Sequence, residues 1–490
     1  MKICISYPPL PSEKGVPLLS QNRQFQYFKS PTYIYPVVPA YAATLLKNAG
    51  YEVVWDDGIA EEKTVENWKK DLEHNAPDLV MIETKTPVVK KHWAIINELK
   101  AAMPTCKIVM VGDHVTALPK ETMEKCQTDF VLTGGDYDFL MLNLADFLNG
   151  KTKQLEEGIW HRENEDIKST GQFKLNHSLD DLPFIDRDLT KWQLYNRQNG
   201  NFKQVPGAYT MAGRDCWWRK DGGCTFCSWP TLYPTFRAMK PERLVDEVGL
   251  LIERYGVKSV FDDTGCFPAG KWLTEFSHLM IERGYNSKVE FGCNMRFGTL
   301  EREDYRLMKQ AGFRMLLFGV ESGSQATLDR LNKGTTVERI IAECKIPHEE
   351  GLEPHITIMV GYPWENRKDA ECTLELAKMF MQKGWANTLQ ATVVIPYPGS
   401  KLYAQAKENN WFRVDAEDYE RFDMKEPVMT TMDMSAEEVL ELCDQIYKVF
   451  LTPQYMLRQL ARVRSMRDVK YSIKGLVKVL GHVKDFGKDK

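Results

Sequence analysis

Apolar and polar positions fall in alternating blocks along the first 150 residues. Short apolar runs recur at Lys2–Tyr7, Glu52–Trp55, Asp78–Glu83, Lys107–Gly112 and Asp129–Leu132. Between them lie stretches at helical spacing: about Pro39–Asn48, Glu61–His74, Val88–Ala102, a short one from Pro119, and Asp138–Leu148. Gly50 is a natural stop for the first of these helices. The run 78–83 is nearly all apolar, as a strand covered on both faces should be. Five rounds of strand and helix predict a parallel sheet with helices on both faces.

Such sheets bind ligands outside the carboxyl ends of their strands. Those ends are small and polar here: Glu83-Thr84-Lys85-Thr86, then Gly112-Asp113-His114-Val115-Thr116, then Thr133-Gly134-Gly135-Asp136. Glycine at such places lets a bulky ligand approach the backbone.

Beyond residue 150 the pattern changes. Residues 151–205 are mixed, polar and irregular, which reads as a linker opened by the turn signal Asn149–Lys153. Strand and helix signals resume over 206–404. Residues 405–490 look helical, with Ser435–Val449 at helix spacing behind a Ser-Ala-Glu-Glu start. From Arg458 onward there are ten Lys or Arg against three Asp, and Arg467–Lys484 mixes apolar residues with lysines. That tail reads either as an interfacial helix meeting anionic lipid or, more plainly, as a solvated helix with one packed stripe.

Composition narrows the class. The chain has 490 residues, 43% of them hydrophobic and 27% charged, as in an ordinary globular enzyme of two or three domains. A net charge of −4 and a pI near 6.2 argue against a dedicated nucleic-acid binder. No apolar run approaches a membrane span, and the N-terminus reads as a strand and loop, not a signal peptide. The eleven cysteines are an odd number and mostly scattered, which suits a reducing cytoplasm better than a disulfide framework.

Three cysteines cluster, at Cys216, Cys224 and Cys227, just after the apolar patch Ala208-Tyr209-Thr210-Met211. Thiolates in a loop after a strand suit a soft metal or an iron–sulfur cluster. A structural zinc site would want a fourth ligand at short spacing, and the nearest downstream cysteine is Cys266. Three thiolates on a [4Fe–4S] cluster leave one iron open.

The segment Cys224-Thr225-Phe226-Cys227 resembles the second half of the radical S-adenosylmethionine (SAM) signature, C-x3-C-x-aromatic-C. The first half departs from it: seven residues separate Cys216 from Cys224, with Gly222-Gly223 available to absorb the excess. Downstream strand ends resemble that family in order: Asp262-Asp263-Thr264, Asn294-Met295-Arg296, Glu321-Ser322-Gly323 with Leu328…Lys333-Gly334, Gly361-Tyr362-Pro363-Trp364-Glu365, and Pro396-Tyr397-Pro398-Gly399 after Ile395. The runs ending GDHVTALPKE and LTGGDYDFL resemble the corrinoid domain of the cobalamin-binding branch. Leu182–Asp186 resembles its connector, and the run after Cys227 resembles members acting on hopanoids, other lipids or pigments.

The resemblance implies an α/β fold: a flavodoxin-like (Rossmann-type) cobalamin domain over 1–150, a linker, a partial (β/α)6 radical SAM barrel over 206–404, and a helical C-terminal region. It implies a [4Fe–4S] cluster on Cys216, Cys224 and Cys227. It implies SAM near Phe226, Asp262, Asp263, Asn294, Arg296, Glu321, Ser322, Gly361 and Ile395. Cobalamin is implied near Thr84, Gly112, Asp113, His114, Thr116, Gly134 and Gly135. No histidine occurs before His74, so the D-x-H-x-x-G lower-ligand loop of methionine-synthase-like domains is absent. The implied activity is methylation of an unactivated carbon through a 5′-deoxyadenosyl radical and methylcobalamin. Ring formation, ring contraction or oxidation is a second reading, and non-catalytic corrinoid or cluster binding a third. The expected partners are a small-molecule substrate of lipid or isoprenoid type, an external electron donor and, through the tail, a membrane surface; nucleic acid is not among them.

Overall fold

The first sheet is built from β1 (Lys2–Tyr7), β2 (Glu52–Asp57), β3 (Leu79–Glu83), β4 (Lys107–Val111), β5 (Phe130–Leu132), β6 (Ile159–Glu163) and β7 (Asp166–Ser169). Their order is β2-β1-β3-β4-β5-β6-β7. The first five are parallel, with Ile3 paired to both Val53 and Leu79. Every residue of β3 is buried, as its unbroken apolar run predicts. The 2-1-3-4-5 order is that of a flavodoxin-like sheet, with its topological switch between β1 and β3. The computed structural model describes residues 1–19, 25–29, 31–164, 166–196, 201–462, and beyond those only 466, 469, 473 and 475.

Two differences from the sequence expectation have clear causes. Ile159–Glu163 and Asp166–Ser169, inside the stretch read as linker, form β6 and β7; β6 runs antiparallel to β5, and β7 antiparallel to β6. Only Ile159 is deeply buried in them, so their polar, half-wet surface carries no apolar run to mark them. The second helix begins at Val65, not Glu61, because the Thr64 hydroxyl accepts from the Asn67 amide and caps it there.

The second sheet contains β8 (Gly207–Thr210), β9 (Ser259–Asp262), β10 (Glu290–Met295), β11 (Phe313–Glu321), β12 (Glu353–Val360) and β13 (Thr388–Val393). All six are parallel and lie in chain order, with helices between them. This is the open (β/α)6 arrangement, which presents strand ends, and the loops that follow them, on one rim. A cluster of edge-to-face rings, Phe267, Phe276, Phe291 and Phe313, packs one part of its core.

Residues 1–199 form one compact unit together with 227–237 and 397–403; residues 200–226, 238–396 and 404–490 form the other. The helical C-terminal region is more broken than its pattern suggests. Helices cover Lys401–Glu408, Ala436–Lys448 and Pro453–Arg462. Between the first two the chain is largely irregular, with an isolated bridge from Phe412 to Met429. Ser435 and Glu438 form the capping box that the Ser-Ala-Glu-Glu start predicts. The basic stretch Arg467–Lys484 lies almost wholly outside the described residues. Among the described residues, no helix is long and apolar enough to cross a membrane.

Candidate functional site

The loop that carries the cysteines starts at the end of β8, and Asp262 at the end of β9 shapes it. Asp262 is fully buried. One carboxylate oxygen accepts from the Thr210 hydroxyl at 2.9 Å and the Ala212 amide at 2.7 Å; the other accepts from the Thr264 amide at 3.1 Å. Thr264 in turn accepts from the Gly213 amide at 2.9 Å. Burial pushes the Asp262 carboxyl up to about 6, against the pull of these donors. Asp262 therefore organises the approach to Cys216, a role the motif alone does not reveal.

The seven residues between Cys216 and Cys224 are a folded turn. Asp215 takes a left-handed φ of 76°, and its carboxylate holds Arg219 four residues on at 2.9 Å. Residues Trp217–Asp221 form one 3-10 turn, closed by Gly222 and Gly223 at φ 88° and 68°. The two glycines do absorb the excess length, as their permissive backbone allows. Trp217 donates to the Cys266 sulfur at 3.0 Å, and Trp218 donates to the Asn332 carbonyl at 2.7 Å. The Asn332 amide returns two bonds, to the carbonyls of Asp221 and Gly223, at 2.8 and 2.9 Å.

Arg296, after β10, runs into this turn. Its guanidinium stacks on the Trp218 ring at 4.0 Å and lies 5.5 Å from that of Trp217. One terminal nitrogen donates to the Lys333 carbonyl, and the other stands 4.0 Å from the Cys224 sulfur. Its Nε has no protein partner although it is buried. Desolvation pushes the Cys224 thiol up, and the Lys333 and Arg296 cations pull it back toward the thiolate.

At the end of β11, Glu321 adopts φ 67° and pairs with Lys333 at 2.8 Å, both side chains buried. Gly319 lies under the pair: a Cβ there would stand 2.1 Å from Glu321 Oε1 and 2.8 Å from Lys333 Nζ. Ser322 donates to Glu365 at 2.9 Å. Burial pushes the Glu365 carboxyl up to about 7. Beside it the Tyr362 hydroxyl is buried without a protein partner. Asn294 donates to the Thr264 carbonyl at 2.9 Å and more weakly to Asp263 at 3.4 Å. Gly361 packs against Val439, and Ile395 is buried. Phe226 is half-buried, and Thr225 beside it is tied by its amide to the Leu331 carbonyl at 3.0 Å.

In the N-terminal unit the predicted strand ends come together. Thr84 hydrogen-bonds His92 at 2.7 Å, and Thr86 hydrogen-bonds His114 at 3.1 Å. Burial drives both imidazoles down to about 3, so they are neutral. Thr116 donates to the Gly112 carbonyl and accepts from the Gly134 amide, at 2.7 and 3.1 Å. Asp113 faces Lys85 at 3.8 Å. The glycines serve the chain's own packing: a Cβ on Gly112 would meet the Thr84 carbonyl, on Gly134 the Phe173 ring, and on Gly135 the Tyr233 ring.

A network outside the expected list occupies the switch point. Glu83, ending β3, accepts from the hydroxyls of Tyr7, which ends β1, and Tyr137, the latter at 3.1 Å. Burial pushes the Glu83 carboxyl up to about 7. A carboxylate closing an all-apolar strand was the signal available in the sequence.

None of the eleven cysteines is in a disulfide; Cys216, Cys224 and Cys227 are half-exposed, Cys372 is exposed, and the other seven are buried. The three cysteines of the loop are only partly buried, and the Lys333 and Arg296 cations bear on Cys224; thiolates in such surroundings are of the kind that suits an iron–sulfur cluster. Among the described residues no three His, Cys, Asp or Glu side chains converge on one point.

The family model described as the radical SAM superfamily matches residues 213–377. The chain is 26% identical over 450 residues to an uncharacterized methyltransferase of Pyrococcus horikoshii, covering 91% of this chain and 94% of that one. It is 25% identical over 429 residues to the anaerobic magnesium-protoporphyrin IX monomethyl ester cyclase of Cereibacter sphaeroides, covering 85% of this chain and 66% of that one. The solved structure of OxsB, a cobalamin-dependent SAM radical enzyme with aqua-cobalamin and SAM bound, matches with a TM-score of 0.70 at 13% identity. That match covers 98% of this chain and 71% of OxsB. The radical SAM methyltransferase TsrM of Kitasatospora setae, with cobalamin and a [4Fe–4S] cluster bound, matches with a TM-score of 0.68 at 13% identity, covering 98% of both chains. At such identities the likeness to OxsB and TsrM is one of fold.

Proposed function

We infer, from the radical SAM domain that residues 213–377 form, that the chain is a cobalamin-dependent radical SAM enzyme that methylates an unactivated carbon. The observation that carries this reading is the cysteine loop at the end of the first strand of an open six-stranded parallel sheet, with a flavodoxin-ordered sheet before it in the chain. Cys216, Cys224 and Cys227 would hold the cluster. The unpartnered Nε of Arg296 supports a contact with the SAM carboxylate. Held there, the cluster with SAM would supply radical chemistry and the corrinoid would supply methyl transfer.

The residues of this chain have separate tasks in that scheme. Asp262 fixes the loop before Cys216. Arg296 and Lys333 bring positive charge to the thiolate of Cys224. Thr84, Asp113, His114 and Thr116 stand at the strand ends where the corrinoid would bind, while Gly112, Gly134 and Gly135 let the chain's own groups pack closely behind them. The chain has no D-x-H-x-x-G loop from which a histidine would be offered to the corrinoid. The substrate class favoured by the sequence is a lipid or isoprenoid, and an external one-electron donor completes the system.

The similarity to the magnesium-protoporphyrin cyclase supports a second reading, a ring-forming or oxidising reaction on a pigment-like substrate. Anaerobic reconstitution with iron, sulfide, hydroxocobalamin, SAM and dithionite separates the two. A methylase yields both S-adenosylhomocysteine and 5′-deoxyadenosine. A cyclase or oxidase yields 5′-deoxyadenosine without matching S-adenosylhomocysteine. A reduced, cluster-loaded sample that never cleaves SAM contradicts both and leaves a binding protein.

A further inference from the structure

We propose that the turn between Cys216 and Cys224 is a clamp that holds the Arg296 guanidinium against the Cys224 sulfur, making Trp218 a positioning residue that sets how readily the cluster is reduced. This rests on Cys224 being a cluster ligand, as argued above.

The extra residues are tied down too thoroughly to be a passive bulge. Trp218 is fixed at its indole nitrogen by the Asn332 carbonyl, and the end of the turn is fixed by the Asn332 amide. Trp217 is fixed by the Cys266 sulfur. The ring of Trp218 lies against Gly334, where a Cβ would stand 2.1 Å from it. Gly334 has φ 63°, and Asn332 is left-handed at φ 52°, so the 331–334 loop is shaped to receive the indole. On the clamp's other side lies Arg296, which is 6% exposed. A guanidinium has five N–H donors in a rigid plane and stacks well on an indole face. Stacked on Trp218 and anchored at the Lys333 carbonyl, it has one terminal nitrogen left to aim, and that nitrogen stands 4.0 Å from the Cys224 sulfur.

The electrostatic consequence follows from the added charge. One electron from a low-potential donor takes a [4Fe–4S] cluster from the 2+ to the 1+ state, and the thiolate sulfurs share the extra negative charge. A cation and N–H donor beside one of those sulfurs stabilises the reduced form and raises the midpoint potential. A tryptophan that only filled space would leave the potential unchanged.

The test is an EPR-monitored redox titration of the reconstituted full chain, with iron and sulfide counted in each sample. Trp218→Ala removes the stack and the Asn332 bond. Gly334→Ala pushes the indole away from the opposite side. Both are expected to lower the reduced-to-oxidised ratio at a fixed potential at least tenfold, a fall of ~59 mV for a one-electron couple. Trp218→Phe keeps the stacked ring and should restore most of the potential. Equal iron content with an unchanged midpoint in Trp218→Ala and Gly334→Ala overturns the proposal. So does loss of iron from all three variants while their folded far-UV spectrum is kept, because the turn would then serve assembly and not potential. If the unaltered chain takes up no cluster, the functional reading itself fails, a result distinct from both.

Discussion

Replacing Lys333 with methionine isolates the most buried ion pair of the candidate site. Lys333 Nζ lies 2.8 Å from Glu321 Oε1, and each side chain is 8% exposed. Methionine keeps the length and apolar stem of lysine but removes the charge. The Glu321 carboxylate would then stay in a desolvated pocket, on a left-handed backbone that fixes its direction, with no cation opposite. Breaking a buried pair from one side costs about 3–5 kcal/mol, a large share of the 5–15 kcal/mol that typically separates folded from unfolded chains. With a urea m-value of about 1–3 kcal/mol/M, the midpoint should fall by at least about 1 M. The pair Glu321→Gln with Lys333→Met leaves no unpaired charge and should recover a substantial part of that loss, giving a coupling energy above about 1 kcal/mol. Anaerobic urea unfolding of the wild type, both single variants and the double variant measures this. Additive costs, or a Lys333→Met midpoint equal to that of the wild type, would refute the reasoning.

Three further outcomes are expected. Gly319→Ala places a Cβ 2.1 Å from Glu321 Oε1, so it should destabilise the chain and reduce iron uptake; wild-type loading after reconstitution would count against this. Asp262→Ala leaves the Ala212 and Thr264 amides without their acceptor, at about 1–3 kcal/mol each, and should loosen the loop enough for proteases to cut near residues 210–216. Glu83 is held near 7 by burial, above the ordinary 4.5, so the folded state binds its proton more tightly than the unfolded state. Its stabilising contribution is therefore full below pH 4.5 and lost as the pH rises through 7. The wild type should therefore lose stability relative to Glu83→Gln as the pH rises over that window, whereas parallel pH curves would contradict it.

The sequence made the two sheets legible because buried parallel strands write long apolar runs, as β3 does. It did not mark β6 and β7, whose side chains are mostly polar and half-exposed. At the candidate site, Asp262, Arg296 and Glu321 could be picked out from their strand-end motifs. Their actual partners could not, because Trp218 meets Asn332 and Glu83 meets Tyr7 and Tyr137 across long separations that no local pattern encodes. Gly134 and Gly135 read as room for a ligand, yet Phe173 and Tyr233 take up that room. A missing Cβ records a close approach without saying what approaches.

The decisive measurement is iron, sulfide and zinc analysis, with EPR, on the anaerobically reconstituted chain beside its Cys224→Ala and Cys227→Ala variants. The unaltered chain should contain iron and sulfide in equal amounts, show the signal of a reduced [4Fe–4S] cluster that changes when SAM is added, and release 5′-deoxyadenosine; either variant should lose all three. Tetrahedral zinc bound at Cys216, Cys224 and Cys227, or undiminished SAM cleavage in the variants, would contradict it.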